Sequence, residues 1–415
     1  MSFLFILPVM VTIVGLYLLF KLKFFFILHP VRTVKEFLVE KKNKESISSL
    51  YLALAGTLGV GNIFGVAAGL MIGGEGSLFW LFLSSFFSAV IKYAEVVLTF
   101  DIHKGLGMAG IISRTFRCGN RISKLYAGLT VGLSLVMGGM MQSVAVYDVA
   151  RQSAGFLPPI SAVLLVILII PALVGGVRKI EKITEKVIPL TTIIYILMCL
   201  CAILTNFKEL PGTIMRVVCS AFSTKSIAGG TLALAIKEGF SRGILSNEAG
   251  AGTSALAHSR AKGRSPHVAG LFGMCEVFFD TTILCSLTGI SILVSVDNIS
   301  DYATPMELVC AAFRLSVGKF ADLLLPLIFS FGYATIICWF YYGFEYSLFY
   351  FPKKSKCFLP IFLLCVSFSY LVSQSFMIYL TDIVLLLMTM LTLSCIVKRL
   401  DRIVLLSGQI KNPEI

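Results

Sequence analysis

Apolar runs of about 20 residues, the length that crosses roughly 30 Å of hydrocarbon, recur along all 415 positions of this sequence with no long polar interval between them. In lipid a backbone group without a partner costs several kcal/mol. Each run therefore has to pair its own N–H and C=O groups as a helix. Hydrophobic residues make up 57% of the chain and charged ones 14%, and the mean hydropathy is +0.91, outside the range of soluble domains. The expectation is an all-α polytopic membrane protein in one membrane domain. About eleven transmembrane helices are predicted, near residues 3–26, 48–72, 76–101, 122–150, 158–177, 184–206, 226–256, 266–296, 318–348, 358–372 and 375–397. The first run resembles a signal peptide, but it is longer than the usual apolar core and no small-residue cleavage site follows Lys21 and Lys23. It is read as a retained helix.

The formal charge of +13 records topology rather than a nucleic-acid partner. Most of the 35 lysines and arginines follow the odd-numbered spans, among them Lys21, Lys23, Arg114, Arg117, Arg178, Lys179, Arg260, Lys353, Lys354, Lys398 and Arg399. The intervening segments hold only Arg151, Lys208, Arg216, Lys225, Arg314 and Lys319. The positive-inside rule then places the amino terminus outside a cell (plasma or inner) membrane and the carboxyl terminus in the cytoplasm. Val31 to Lys44 and Leu106 to Arg117 mix apolar and basic residues and are expected as amphipathic helices along the inner face. The eleven cysteines form no CxxC pair and read as small core hydrophobes. His29, His103, His258 and His267 all fall in predicted cytoplasmic segments without metal-ligand spacing. No hydrolase or metalloenzyme signature appears, so no enzyme and no cofactor is expected.

Two spans are unlike the rest. The second contains AGTLGVGNIFG, Ala55 to Gly65, and the seventh contains KEGFSRGILSNEAGAG, Lys237 to Gly252. Glycine in a helix interior costs roughly 1 kcal/mol against alanine, and charges such as Lys237, Glu238, Arg242 and Glu248 inside a span usually line a pathway or cavity. Close helix packing through small residues such as Gly65 and Gly69 is the alternative explanation. Counted from the second span, these are core helices 1 and 6 of ten, the first of each half of a five-plus-five arrangement. Five is odd, so the second half enters from the opposite side and any repeat is inverted. Glycine-interrupted spans in matching positions point to a transporter's binding site, where freed amides face an anion and freed carbonyls a cation.

The sequence resembles the alanine or glycine:cation symporters, amino-acid carriers with the leucine-transporter (LeuT) fold. The likeness lies in AGTLGVGNIFGVAAG, GGEGSLFW, KYAEVVL and IKEGFSRGILSNEAGAGTSALAH, with weaker echoes in LVGGVRKIEKITEKVIP, FFDTTILC and ATIICWFYYG. It implies that Gly59, Gly61 and Asn62 offer amides and a side chain to a substrate carboxylate, with Thr57 beside them. It also implies that Ala55, Thr57, Leu58, Asn62 and Thr335 hold sodium. Gln142 would face the substrate, Trp339 would limit its size, and Ser246, Asn247 and Glu248 would form the unwound turn of the second broken helix. Gln142 also fits a bridge between helices, Trp339 an interfacial anchor, and Thr335 a bond to its own helix. Lys92 and Glu95 fit a local pair. Asp280, with Glu276 one turn earlier, and Glu248 are possible coupling groups. Ala334 stands where the resemblance implies a hydroxyl ligand for sodium.

The domain layout expected is an extra helix and amphipathic segment over 1–45, a first repeat over 46–207, a second over 208–398 and a tail over 399–415. The function expected is sodium-coupled symport of a small neutral amino acid, alanine or glycine, by alternating access. A proton-coupled carrier of the same fold for an amino acid or other small solute is the alternative, and an ion channel is a third reading. The sequence leaves the oligomeric state open.

Overall fold

Helices are the only regular elements among the described residues of this computed structural model, which are 3–40, 44–100, 107–223, 231–261 and 265–408. Lys225, His103, the stretch 226–230 that begins the seventh expected span, residues 41–43 and 106 at the edges of the amphipathic segments, and 409–415 of the tail lie outside them. In chain order the helices are α1 (Phe3–Lys21), α2 (Pro30–Glu40), α3 (Lys44–Thr57), α4 (Gly61–Gly73), α5 (Gly76–Phe100), α6 (Gly107–Thr115), α7 (Gly119–Gln152), α8 (Pro158–Val174) and α9 (Gly176–Thr205). They continue as α10 (Leu210–Ala221), α11 (Thr231–Asn247), the single turn α12 (Ala255–His258), α13 (Pro266–Ser295), α14 (Pro305–Val317), α15 (Leu324–Tyr350), α16 (Phe358–Phe368), α17 (Gln374–Lys398) and α18 (Leu400–Leu406).

Among the described residues six helical runs are long and apolar enough to cross a membrane: α5, α7, α9, α13, Pro305–Tyr350 and α17. The pair α3 and α4, bent by 52° at its break, makes a seventh. The distribution of polarity is that of a protein in lipid. Val163, Ile167, Leu197 and Leu204 point outward and exposed, while Lys92, Glu95, Glu248, Glu276 and Asp280 are fully buried. A helix with an apolar outer face and polar groups inside is stable only where the surroundings are hydrocarbon.

Several boundaries differ from expectation. The first helix stops at Lys21, because Lys23 and Phe24 take left-handed backbone (φ 53° and 51°) and turn the chain before a short helical turn, Phe25–Leu28. The basic stretch Arg178 to Lys186 is helical rather than a loop, and extends the sixth span back to Gly176. Two further helices, α10 and α14, occupy segments expected to be loops. Pro30–Glu40 is helical as expected, with Val31, Val34 and Leu38 exposed. By contrast α6 does not lie along a surface: Met108, Ala109, Ile111 and Ile112 are buried in the core.

Small residues bring the central helices into contact. A methyl on Gly239 or Gly243 of α11 would lie 2.4 Å from the Ser77 carbonyl oxygen and 2.1 Å from Ser84 Oγ, both on α5. On the other side of α5, Gly270 and Gly273 of α13 receive Tyr93 and Val96. The same device joins α7 to α15, where Gly138 meets Trp339 and Gly343 meets Ser134. Packing of this kind, driven by close van der Waals approach, brings polar groups from α3, α5, α7, α11, α13 and α15 together in the interior.

Candidate functional site

The first helix break lies at Leu58, Gly59 and Val60, between α3 and α4. Its freed backbone groups are taken by side chains from other helices. Gln142 Oε1 accepts from the Val60 amide (3.1 Å), Thr335 Oγ1 donates to the Leu58 carbonyl (3.3 Å), and Trp339 Nε1 donates to the Gly56 carbonyl (3.1 Å). The Gly59 amide is shared between the Thr57 carbonyl (2.8 Å) and Asn62 Oδ1 (3.2 Å). A side chain at 59 would displace this grip: an added Cβ would stand 2.8 Å from Gln142 Oε1 and 3.1 Å from Thr335 Oγ1. Beyond the break, Gly61–Gly65 is π-helical.

The second break runs from Glu248 to Thr253, after α11. Glu248 is left-handed (φ 53°), as are Gly250 (φ 92°) and Gly252 (φ 76°). The spacing GAG thus supplies two of the three positive-φ positions without Cβ strain. Asn247 holds the turn, its Oδ1 accepting from the Ala249 amide (3.0 Å) and its Nδ2 donating to Thr281 Oγ1 (3.0 Å). The Ala251 carbonyl accepts from Tyr126 (2.5 Å), and the Gly250 amide donates to Glu95 Oε1 (2.6 Å).

The two breaks meet at Asp280. Its carboxylate accepts from Asn62 Nδ2 at the first break, from Ser246 Oγ (2.6 Å) at the end of α11, and from Thr281 Oγ1 (2.6 Å). Asp280 lies in a π-helical stretch of α13, Phe278–Cys285, and a third such stretch, Ser134–Met141, directly precedes Gln142. A π turn rotates the side chains that follow it out of α-helical register and is frequent at functional sites. Asp280, Asn62, Ser246, Gln142 and Thr335 are all buried, and no lysine or arginine pairs with Asp280 among the described residues. The result is a carboxyl group held by neutral donors in a buried site, suited to a cationic partner or a proton. A half-open cavity of about 440 Å³ is lined by Phe64 of α4 together with Asp148, Arg151, Glu307 and Gln374.

The residues singled out from sequence divide accordingly. Asn62, Gln142, Leu58 and Thr335 surround the first break, and Ser246 and Asp280 join it to the second. Gln142 bridges helices as well as facing the break. Thr335 bonds to Leu58 rather than to its own helix. Trp339 is fully buried, so the interfacial anchor reading is corrected. Thr57 turns its hydroxyl to its own helix, toward the Ala53 carbonyl (3.5 Å), and Ala55 is packed in the core. Gly61 has open space around its Cα. Ser246 and Asn247 are the last helical residues of α11, so the unwound turn begins two positions later than expected, at Glu248.

Other expectations change more. Glu276, one turn from Asp280, has different hydrogen-bond partners: it bonds to Ser254 (3.1 Å) and His258 (2.8 Å) and stands 3.9 Å from Lys92. His258 is buried there rather than in a cytoplasmic loop. Lys92 and Glu95 do pair (3.7 Å), but each is also tied to the second break, through Ser254 and Gly250. Lys237, Glu238 and Arg242 satisfy one another on α11, at 3.0 Å and 2.8 Å. Sequence inspection missed the Val60 amide as the partner of Gln142, since nothing in a one-dimensional pattern orients a backbone N–H.

A profile of the sodium:alanine symporter family matches residues 1–407. The sodium/alanine symporter AgcS of Methanococcus maripaludis is 29% identical over 72% of this chain and 70% of that protein. The "Probable sodium/glutamine symporter GlnT" of Bacillus subtilis is 30% identical over 82% of this chain and 74% of its own. Among solved structures, a nucleobase-cation-symport-1 family transporter in a closed conformation with bromovinylhydantoin bound is similar at 12% identity, covering 81% of this chain and 74% of that one with a TM-score of 0.45.

Proposed function

The chain belongs to the sodium:alanine symporter family, and on that premise we propose that it is a secondary active transporter moving a small neutral amino acid, alanine or glycine, together with sodium by alternating access. The family is one of multi-pass membrane transporters, and the reading involves no covalent chemistry. Its main support is the convergence of both helix breaks on Asp280, with Gln142 and Thr335 gripping the first.

An amino acid is a zwitterion. Its carboxylate is suited to the amides at the start of α4, where the helix dipole is positive. Those amides, Gly59 and Gly61 with the Asn62 side chain, lie where the Val60 amide is held by Gln142, so substrate entry would exchange protein partners for the carboxylate. The ammonium is suited to Gln142, Ser246 and Asn247. Sodium, a hard cation, takes oxygen ligands, which the Leu58 and Ala55 carbonyls, Thr57, Asn62 and Thr335 would supply. Trp339, bonded to the Gly56 carbonyl, keeps the first break in place and limits the size of what binds beside it.

The architecture that goes with this reading is a five-plus-five inverted repeat of the LeuT type, 46–207 and 208–398, after an extra helix and amphipathic segment over 1–45 and before a cytoplasmic tail over 399–415. Eleven spans put the amino terminus outside and the carboxyl terminus in the cytoplasm. The name of AgcS contains alanine and that of GlnT glutamine, so side-chain size around Trp339 is the feature that would separate such substrates.

A second reading, a proton-coupled carrier of the same fold, has two observations in its favour: Ala334 supplies no hydroxyl beside Thr335, and the acids Asp280 and Glu248 are buried. The deciding experiment is radiolabelled alanine and glycine uptake into proteoliposomes of the purified protein. It is run with an inward sodium gradient, with potassium in place of sodium, and with an inward proton gradient. Accumulation above equilibrium only with sodium is the expected result. Accumulation driven by protons alone would replace the coupling ion, and fast conductance without accumulation would replace the carrier by a channel.

A further inference from the structure

A second group of buried ionisable side chains lies around the second break and extends beyond the partners of Asp280 described above. Lys92 and Glu95 face it from α5, Glu276 and Asp280 from α13, Cys338 and Tyr342 from α15, and Glu248 and His258 from the break and α12. All are fully buried.

Most of these groups are paired. The Lys92 ammonium donates to Ser254 Oγ (2.9 Å) and stands 3.7 Å from Glu95 and 3.9 Å from Glu276. Glu95 also accepts from the Gly250 amide (2.6 Å), and Glu276 from Ser254 (3.1 Å) with His258 at 2.8 Å. Glu248 differs. Its Oε2 accepts from the Thr253 hydroxyl, and its Oε1, like one oxygen each of Glu95 and Glu276, has no hydrogen-bond partner; but those two oxygens face Lys92, whereas no cationic side chain forms an ion pair with Glu248 among the described residues.

Glu95 and Glu276 therefore share one ammonium in a buried region, while Glu248 adds a third carboxylate and Asp280, a turn from Glu276, a fourth. Negative charge remains in excess even with His258 protonated. A dry interior does not hold uncompensated charge; it binds a counter-cation or a proton. A metal ion fits poorly. Among the described residues no group of three or more His, Cys, Asp or Glu is arranged to hold one, and the Lys92 ammonium already sits between Glu95 and Glu276. A proton needs a single oxygen.

We propose that Glu248 is an intramembrane proton-binding site. A hydronium ion gives its proton to Glu248 Oε2 and leaves as water. The new O–H donates to Thr253 Oγ1, and Oε1 becomes a neutral carbonyl oxygen, far less costly to leave unpaired than half of a carboxylate. The site sits on the residue that opens the second break, a non-glycine held at φ 53°. Ionisation would place one more charge in the dry region, relieved only by water, so proton loss favours the state in which this break is open to solvent. That last consequence rests on the transporter reading, whereas proton binding itself does not.

The test uses the full-length protein in lipid nanodiscs and infrared difference spectra across a pH titration, read at the carbonyl stretch of protonated carboxylic acids. A titrating band that E248Q removes and E276Q retains is expected. T253V should move its midpoint to higher pH, because the hydroxyl stabilises the ionised form. A wild-type protein without such a band, or a band that survives in E248Q, overturns the assignment. Should E248Q not fold, T253V decides, and an unshifted midpoint rejects the site. No substrate enters this measurement, so its failure and the failure of the uptake experiment are separate results.

Discussion

Gly59→Ala isolates the grip of Gln142 on the first break. The new methyl would stand 2.8 Å from Gln142 Oε1, 3.2 Å from its Nε2 and 3.1 Å from Thr335 Oγ1. Gln142 ends in a flexible amide and yields first, but in yielding it leaves the buried Val60 N–H, which it accepts from at 3.1 Å. An unsatisfied buried donor costs about 1–3 kcal/mol, and the lower entropy of an unfolded chain with alanine returns about 0.4–1 kcal/mol. The net loss is of the order of 1–2 kcal/mol, a factor of roughly 5–30 in the population of the closed break. A ligand that selects this geometry loses apparent affinity by the same factor. The assay is equilibrium binding of radiolabelled alanine to purified protein, with thermal midpoints recorded in parallel, for G59A, Q142A and the double variant. In the double variant the methyl meets no glutamine, so its cost should match that of Q142A alone. If the single effects instead add to within about 0.3–0.5 kcal/mol, as independent sites do, the methyl acts by another route and the reasoning fails.

Asp280→Asn turns an acceptor of three hydrogen bonds into a group that must donate, opposite donors from Asn62, Ser246 and Thr281; uptake should vanish while surface expression persists, and normal uptake would remove Asp280 from the site. Ser246→Ala removes one of those donors, and with hydrogen bonds to charged groups at about 1.5–3 kcal/mol, a loss of ten-fold or more in uptake affinity is expected. Thr335→Ala should raise the sodium concentration needed for half-maximal uptake, and Thr335→Ser should restore it; equal sodium dependence in both would exclude the hydroxyl. Arg216→Ala breaks the 3.1 Å pair with Glu75, whose side chains are 47% and 27% exposed. Exposed pairs contribute only about 0–1 kcal/mol, so thermal stability and uptake should stay near wild type.

Much of this arrangement was legible in the chain. The glycine pattern around Gly59 and Gly61 marked the first break, and GAG after Glu248 marked the second, because a helix interrupted in lipid needs residues that tolerate unusual backbone and a partner for each freed amide or carbonyl. Asn62, Gln142, Thr335 and Asp280 stood out as polar groups inside apolar spans. What failed was local. Arg178 to Lys186 is charged yet helical, since long basic side chains let a helix continue past the hydrocarbon. The segment expected as a surface helix is buried over 107–112, because Gly107 and Gly119 let it pack under α7 and against Tyr346.

By itself the sequence determined the membrane environment, the helical class and the positions of the two breaks, since these depend on run length, charge and glycine spacing, all properties of neighbouring residues. Only the tertiary structure decided which groups those breaks would serve. Asn62, Ser246 and Asp280 lie up to 218 positions apart and meet because glycines on α11 and α13 draw both helices onto α5. The same packing gave Lys92 a second carboxylate, Glu276, beside its local partner Glu95, and left Glu248 without a cation among the described residues. Which buried charge finds a partner is set by the distance between helices, and no local pattern in the chain encodes that distance.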